Sequence, residues 1–525
     1  MLRCTLREGR FQSALLNQRR NLFGLGEILG VISQPAETIK QLNESKDLLQ
    51  KARDDLKIRQ EAKQIPRKHT FSRLPGFHGR EREQQLLKRI LAGNPAFSVI
   101  FGATSVGKTA LLRQVLASEA YHVLNFDLRI SGFADLRSLY FTLCQQFQQF
   151  FEGINHKDVQ KNGLVFKHMV LELEEKESNN DYRVTVADIA SLMESLQSGM
   201  LSYWQISTKP VVEDDDEGSG KVDVSKLTSS KARMADAYQP ARPYAETQEG
   251  SEEPFVKRPL VFFMDEAHKL PALINDELAL KVFLDTLIVL TKQDRLCFCI
   301  FSTSDSFFQH FLRRLNVGQH CAVYTIADPS RQDAYDFFMD ELIIRYPADL
   351  RPLVDFDEIY SMFGGKLSHI SDYVDAYVNA DGNLSPLTSA IFVQAYTLLQ
   401  FHLTHNRFET FSPMTAVTVE ADQGAGSQTF TREHLISVMR RLATSPFSLP
   451  YFGLCQELGT SCVDGLVQAR ILELRWTKAV SPENDWVERK WSKDGIERPI
   501  LLPMTPVLRK AMAVILEELD TGTAG

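Results

Sequence analysis

"FGATSVGKTALL", residues 101–112, follows the apolar run Phe97-Ser98-Val99-Ile100-Phe101 and leads into TALLRQVLA, residues 109–117, where leucines and valine recur at helical spacing. The order Gly102, four residues, Gly107, Lys108, Thr109 is the full G-x-x-x-x-G-K-[ST] phosphate-loop pattern. A strand, a glycine-rich turn and a helix start make an anion site, because unpaired backbone N–H groups and the helix dipole point at the same spot. The pattern assigns Gly102, Ala103, Thr104, Ser105, Val106, Gly107, Lys108, Thr109 and Ala110 to phosphate binding. Lys108 supplies a point charge for the β- and γ-phosphates, and the Thr109 hydroxyl is a ligand for Mg²⁺. An ordinary glycine turn with a chance lysine would lack such flanks.

The second half of such a site is a buried strand ending in an acid. Leu260-Val261-Phe262-Phe263-Met264 runs into Asp265-Glu266 after Pro259. Asp265 is the expected metal-shell residue, and Glu266 the general base that orients and deprotonates water. A strand running into a surface turn is the plain alternative. Ala267-His268 completes the letters DEAH, but no other helicase motif accompanies them, so His268 reads as a loop residue.

Thr291-Lys292-Gln293-Asp294 resembles the guanine-reading [NT]-K-x-D. A GTPase would also carry D-x-x-G at the acid strand, whereas Asp265 is followed by Glu266-Ala267-His268. Thr291 moreover ends the apparent helix LALKVFLDTLIVLT and precedes a strand. ATP is therefore the expected nucleotide. The following strand, Leu296 to Phe301, leads into Ser302-Thr303-Ser304-Asp305. In additional-strand ATPases a polar residue at this point senses the γ-phosphate and positions water, which makes Ser302 or Thr303 a catalytic candidate. The same hydroxyls read equally as a helix cap.

Together, Phe77-His78-Gly79-Arg80-Glu81-Arg82-Glu83, the loop FGATSVGKT, Asp127-Leu128-Arg129 after a strand, FFMDEAH and FSTSD resemble the archaeal-type ATPase family, close to the STAND and origin-recognition branch of the AAA+ class. The resemblance runs discontinuously from about residue 77 to 376. It implies an α/β P-loop core with a parallel sheet, a helical lid and often a winged helix, and it implies no particular substrate.

Composition bounds the rest. A chain of 525 residues has room for two to four domains, and 44% hydrophobic with 24% charged residues is ordinary globular composition. No apolar stretch reaches the roughly 18 residues of a membrane span. Seven scattered cysteines, with Cys297 and Cys299 on one strand face, read as buried thiols of a reduced, intracellular protein. A net charge of −8 disfavours a general nucleic-acid binder.

Residues 1–70 read as a basic amino terminus followed by a charged helical arm. MLRCTLREGRFQSALLNQRRNLFG is Arg-rich with Glu8 as its one acid, in the manner of a mitochondrial transit peptide or of a solvated basic helix. Residues 71–328 form the expected core, interrupted at about 209–256 by an acidic stretch too poor in apolar residues to offset its ordering entropy. Such a stretch reads as a disordered insertion, with an acidic partner-binding loop as the alternative.

A helical lid is expected over 329–410, opened by Ser330-x-x-Asp333 as a capping box. Within it, Phe363-Gly364-Gly365-Lys366 resembles the family's lid turn, and Lys366 reads as a surface lysine in preference to a nucleotide contact. Arg313 and Arg314 occupy the place of an arginine finger or of a solvated helix face. Residues 430–525 read as a winged-helix-like domain. Its presumed reading helix, 461–472, offers Asp464 and Arg470 as its charges and little with which to read bases. The expectation is an intracellular ATP-binding switch, located in cytoplasm or nucleus with the mitochondrion open, that signals to a protein partner and is capable of self-association. A nucleotide-holding scaffold that hardly hydrolyses and an origin-type DNA loader are the rivals.

Overall fold

The computed structural model describes residues 71–74, 76–129, 135–179, 182–206, 255–273, 276–346, 354–405, 430–481 and 498–522. The amino-terminal arm, and all but the last two residues of the acidic stretch 209–256, lie outside them.

Helix α1, Glu81–Ala92, precedes strand β1, Phe97–Phe101, and helix α2, Lys108–Leu116, follows the glycine loop. Strand β2, His122–Asp127, leads into three long helices: α3, Leu136–Glu152, α4, Lys157–Asn179, and α5, Val186–Gln205. The acid strand is β3, Leu260–Asp265, followed by helix α6, Glu277–Ile288, and by β4, Cys297–Thr303. Helix α7, Phe308–Arg314, and strand β5, Cys321–Thr325, complete the core.

The five strands form one parallel sheet in the order β2-β3-β4-β1-β5. Every residue of β1, β3 and β4 is buried, which is why these strands read as continuous apolar runs: a parallel sheet is covered on both faces. Alternation then sorts the side chains. Ile100, Val261, Phe263, Phe298 and Ile300 face α1 and α2, where they meet Leu87, Leu111, Leu112 and Val115. Phe97, Val99, Phe262, Met264, Cys299 and Phe301 face the opposite way, into a cluster that includes residues of α3 to α6. Burial drives the thiol of Cys297 up to about 12 and that of Cys299 well above its usual value, so both are inert core groups.

Strand β4 is longer than the expected 296–301. Its pairing with β1 continues through Ile100–Ser302 and Phe101–Thr303, so both hydroxyl residues belong to the strand and not to the turn after it. Apolar patterning ends where backbone pairing does not.

Beyond β5, Ser330 caps helix α8, Arg331–Phe337, in the expected reciprocal box with Asp333. Helices α9, Phe356–Phe363, α10, Leu367–Asn379, and α11, Ala390–Thr404, follow. The carboxyl-terminal part contains α12, Arg432–Leu442, a short β6, Leu449–Pro450, α13, Tyr451–Leu458, and α14, Thr460–Gln468. After them come β7, Leu472–Arg475, β8, Ile500–Pro503, and α15, Pro506–Thr521. Its three strands form an antiparallel sheet in the order β6-β8-β7.

Residues Phe71–Gly525 make one compact unit, and the larger apolar cluster extends without a break from the sheet through α9 to α15. Among the described residues no helix is long and apolar enough to cross a membrane.

Candidate nucleotide site

Parallel strands place the loops that follow them at one end of the sheet, and those of β1, β3 and β4 meet there. Two positions of the turn after β1 call for glycine. A Cβ on Gly102 would lie 2.3 Å from the carbonyl oxygen of Ile326, and Gly107 sits at φ 87°.

The loop's carbonyls are held by cations. Lys108 Nζ donates to the carbonyl oxygens of Gly102 and Ala103 at 2.8 and 2.9 Å. Lys366 Nζ donates to that of Thr104 at 2.8 Å and lies 3.8 Å from Asp328. Arg80, the left-handed residue before α1, donates to that of Val106 and is paired with Glu83 at 3.3 Å. In a trans peptide the C=O and N–H point in opposite directions, so each carbonyl fixed in this way also fixes the N–H of the next residue. Lys366 is 1% exposed; it is not a surface lysine but a buried one whose tip reaches the glycine loop from the turn before α10. The alternative reading of Lys366 as a nucleotide contact was the available signal; the apolar, glycine-rich sequence around it does not itself name the Thr104 carbonyl as partner.

Thr109 Oγ1 donates to Asp265 Oδ2 at 2.8 Å, joining the loop to the acid strand across 156 positions. Asp265 faces the α2 side of the sheet with Val261 and Phe263, as strand alternation requires. A hydroxyl and a carboxylate oxygen side by side are hard oxygen donors that fit Mg²⁺, which takes few protein ligands and completes its shell with water and phosphate.

Burial pulls the Lys108 ammonium down to about 8, against the opposing attraction of Glu266 and Asp265. Glu473, from β7, also acts on Lys108, so the carboxyl-terminal part contributes charge to this site. Glu473 and Arg475 are both buried and paired with each other at 3.0 Å.

Glu266 occupies a left-handed backbone position at φ 55°, and its Oε2 lies 3.5 Å from His268 Nε2. The distance alone would suggest an ion pair. Burial, aided by Arg470, Lys108 and Lys269, lowers the imidazole to about 3, so the contact is between a carboxylate and a neutral ring. His268 is thus a buried neighbour of Glu266, in place of the expected loop residue.

The two hydroxyls at the end of β4 differ. Ser302 lies on the α2 face with Phe298 and Ile300, level with Asp265 one step beyond the pair Met264–Phe301. Its Oγ is buried and has no hydrogen-bond partner among the described residues. Thr303 points to the other face and its Oγ1 accepts from Asp305 N at 3.2 Å, a turn-capping role.

Thr291-Lys292-Gln293-Asp294 lies before β4, at the opposite end of the sheet from the loop. Thr291 is buried on the Leu287 carbonyl at 2.8 Å and Asp294 accepts from Gln197 at 2.5 Å. Arg313 stacks on Trp476, 5.1 Å from the ring centre, and Arg314 pairs with Glu277.

One participant had no assigned role. Arg129 donates from Nε and Nη2 to both oxygens of Asp127, at 2.8 and 2.7 Å, and from Nη2 to Asp265 Oδ2 at 2.9 Å. Its place in Asp127-Leu128-Arg129 after a strand was the available signal.

No protein-family model matches the chain, and no curated protein matches it. Solved structures similar to it include a Walker-type ATPase of Pyrococcus abyssi, with 12% identity, a TM-score of 0.42, and coverage of 84% of this chain and 97% of that one. The ORC2 protein of Aeropyrum pernix, in ADPNP and ADP complexes, is similar at 10% identity and a TM-score of 0.35, over 87% and 99% of the two chains. A STAND ATPase of Pyrococcus horikoshii with a tetratricopeptide repeat sensor has 12% identity and a TM-score of 0.28, over 86% of this chain and 44% of that protein.

Proposed function

We propose that this chain binds and hydrolyses ATP with Mg²⁺, and that it is an AAA+/STAND-like switch whose nucleotide state is coupled to its lid and its carboxyl-terminal, winged-helix-like unit. The observation that carries the reading is the 2.8 Å bond from Thr109 to Asp265, which brings the glycine loop and the acid strand into one site beside buried Lys108.

In this reading residues 102–110 receive the phosphates through backbone N–H groups and Lys108, while Thr109 and Asp265 hold the metal. Bound Mg²⁺ supplies charge neutralisation at the phosphates. Glu266 accepts a proton from water as the water oxygen bonds to the γ-phosphorus. The bond from that phosphorus to the β–γ bridging oxygen breaks, and its electron pair leaves on ADP. Ser302, unpartnered and on the same sheet face as Asp265, is the better placed of the two hydroxyls to orient that water.

Nucleotide titration and phosphate release test the reading. Lys108→Ala should lose ATP binding while its circular dichroism remains native. Glu266→Gln keeps shape but loses basicity, so hydrolysis should fall by about 10²–10⁴-fold with ATP still bound. ATP affinity of wild-type strength in Lys108→Ala would remove the assignment. The Glu266→Gln protein, held with ATP or ADP, is also the form in which to search for a protein partner.

The non-hydrolysing scaffold remains a second reading on one observation: Trp476 stacks on Arg313, the first of the two finger positions. For the carboxyl-terminal unit, protein or intramolecular contact is the better reading than DNA. Its presumed reading helix, expected over 461–472, ends at Gln468 as α14 because Leu472 already belongs to β7, and it buries Cys462, Val463, Gly465, Leu466 and Val467 within this chain.

A further inference from the structure

Asp127 and Asp265 are direct register partners at the ends of β2 and β3, so two carboxylates stand side by side where the sheet meets the glycine loop. Arg129 bridges them. Its backbone N–H and its Nε both bond Asp127 Oδ1, at 3.0 and 2.8 Å, while Nη2 bonds Asp127 Oδ2 at 2.7 Å. A two-point fork with a local backbone tie fixes the plane of the guanidinium. These bonds raise the guanidinium's affinity for its proton; at Asp127 partial burial opposes ionisation, and the bonds from Arg129 outweigh it and hold the carboxyl below its usual range.

The fork uses Nε and Nη2. Nη1, with two further N–H donors, makes no hydrogen bond among the described residues, and the side chain is 44% exposed. A cation that served merely to neutralise two acids would not need to leave two of its five N–H donors without a partner among the described residues. Moreover, Asp265 Oδ2 accepts from both Thr109 Oγ1 and Arg129 Nη2, at 2.8 and 2.9 Å. A metal held through Thr109 and Asp265 competes with Arg129 for that oxygen, while the anchor on Asp127 is untouched.

We infer that Arg129 is a nucleotide-contacting residue: pinned by Asp127, it presents its Nη1 donors to the terminal phosphate and gives up Asp265 when Mg²⁺ and ATP bind. The contact is supplied within the same chain, independently of Arg313 and Arg314. It also makes Asp127 a positioning residue. The inference rests on the reading of this site as an ATP pocket.

The test measures ATP and ADP affinities of the full chain, with Mg²⁺ and with EDTA, for wild type, Arg129→Ala, Arg129→Lys and Asp127→Asn. Loss of a charge-assisted bond to the terminal phosphate should weaken ATP by about ten- to a hundredfold, with ADP changed much less. Arg129→Lys keeps charge but not the fork and should fall between, and Asp127→Asn should shift the ratio in the same direction. Removing a competitor for Asp265 should also raise the apparent Mg²⁺ affinity of Arg129→Ala at saturating ADP. Equal losses for ATP and ADP, or an unchanged ratio, in whichever Arg129 variant folds would overturn the inference and leave the ATP pocket standing. A wild-type chain that binds neither nucleotide would overturn both.

Discussion

Burial of Lys108 has an electrostatic consequence that can be measured. Its ammonium, lowered to about 8 by burial against an ordinary value of 10.5, is stabilised by an arriving polyphosphate and its affinity for a proton rises. ATP binding at pH 8–9 should therefore take up protons, and affinity should decline as pH rises above about 8. Calorimetry in buffers of different ionisation enthalpy reads the uptake directly, and binding heats that do not depend on the buffer at pH 8–9 would remove the assignment. Stability runs the other way: between 8 and 10.5 the unfolded chain binds more protons than the folded one at this residue, so its contribution to stability grows as pH rises through that window. Ser302 and Thr303 separate by face. Ser302→Ala should slow hydrolysis without a loss of melting temperature, because its Oγ has no partner among the described residues to lose. Thr303→Val removes the acceptor for Asp305 N and should cost about 1 kcal/mol of stability, read by denaturant unfolding, with hydrolysis per folded molecule unchanged.

At the scale of elements, the strands that position the site were legible because both their faces are buried and their composition shows it: β1 and β3 begin where the apolar runs begin. The far end of β4 was not, since Ser302 and Thr303 are held in the sheet by pairing with β1 and not by their own apolarity. Helices α3 to α5, which cover one face of the sheet, carry no chemical motif and were not among the expected elements. Ser330 illustrates the opposite case, a cap whose partner lies three residues away and can be read directly. Gly364 is legible as a turn, yet the reason for it is tertiary: at φ 58°, ψ −148° it ends α9, and a Cβ there would lie 2.7 Å from Cγ of Pro506, the first residue of α15. Gly364→Ala should cost about 1–3 kcal/mol from backbone strain alone, measurable as a lower melting temperature. It should also weaken nucleotide binding, because Lys366, two residues on, would be displaced from the Thr104 carbonyl.

Across the whole molecule, the carboxyl-terminal part is bound to the nucleotide end of the core. Trp476 donates from Nε1 to the Ser306 carbonyl at 3.0 Å and packs on His310, with ring centres 4.7 Å apart. Thr477 and Thr325 share a hydroxyl bond of 2.7 Å, and Val480 N donates to the Thr325 carbonyl at 2.9 Å, extending the edge of the sheet at β5. Glu473 and Arg470 act on Lys108 and His268 from the same stretch. Residues 470–480 thus join three parts of the site that are remote in sequence. Trp476→Ala removes an almost wholly buried indole and its hydrogen bond and should destabilise this docking by about 3–5 kcal/mol. Limited proteolysis should then release the carboxyl-terminal part sooner than in wild type. An unchanged cleavage rate would mean that the docking is held elsewhere.

The linear order of residues made the loop and the acid strand legible, because the phosphate-loop pattern places glycines, a lysine and a hydroxyl within a single turn, and a buried parallel strand needs a continuous apolar run. Both are local demands. Tertiary structure alone decided that Lys366 and Arg80 hold the glycine loop, that Ser302 and not Thr303 faces Asp265, that His268 is buried against Glu266, and that Glu473 reaches Lys108. Each of these depends on contacts between residues far apart in the chain. A lysine or a glutamate has the same local signature in solvent as in a site, and which of the two it meets is set by the packing of elements around one sheet.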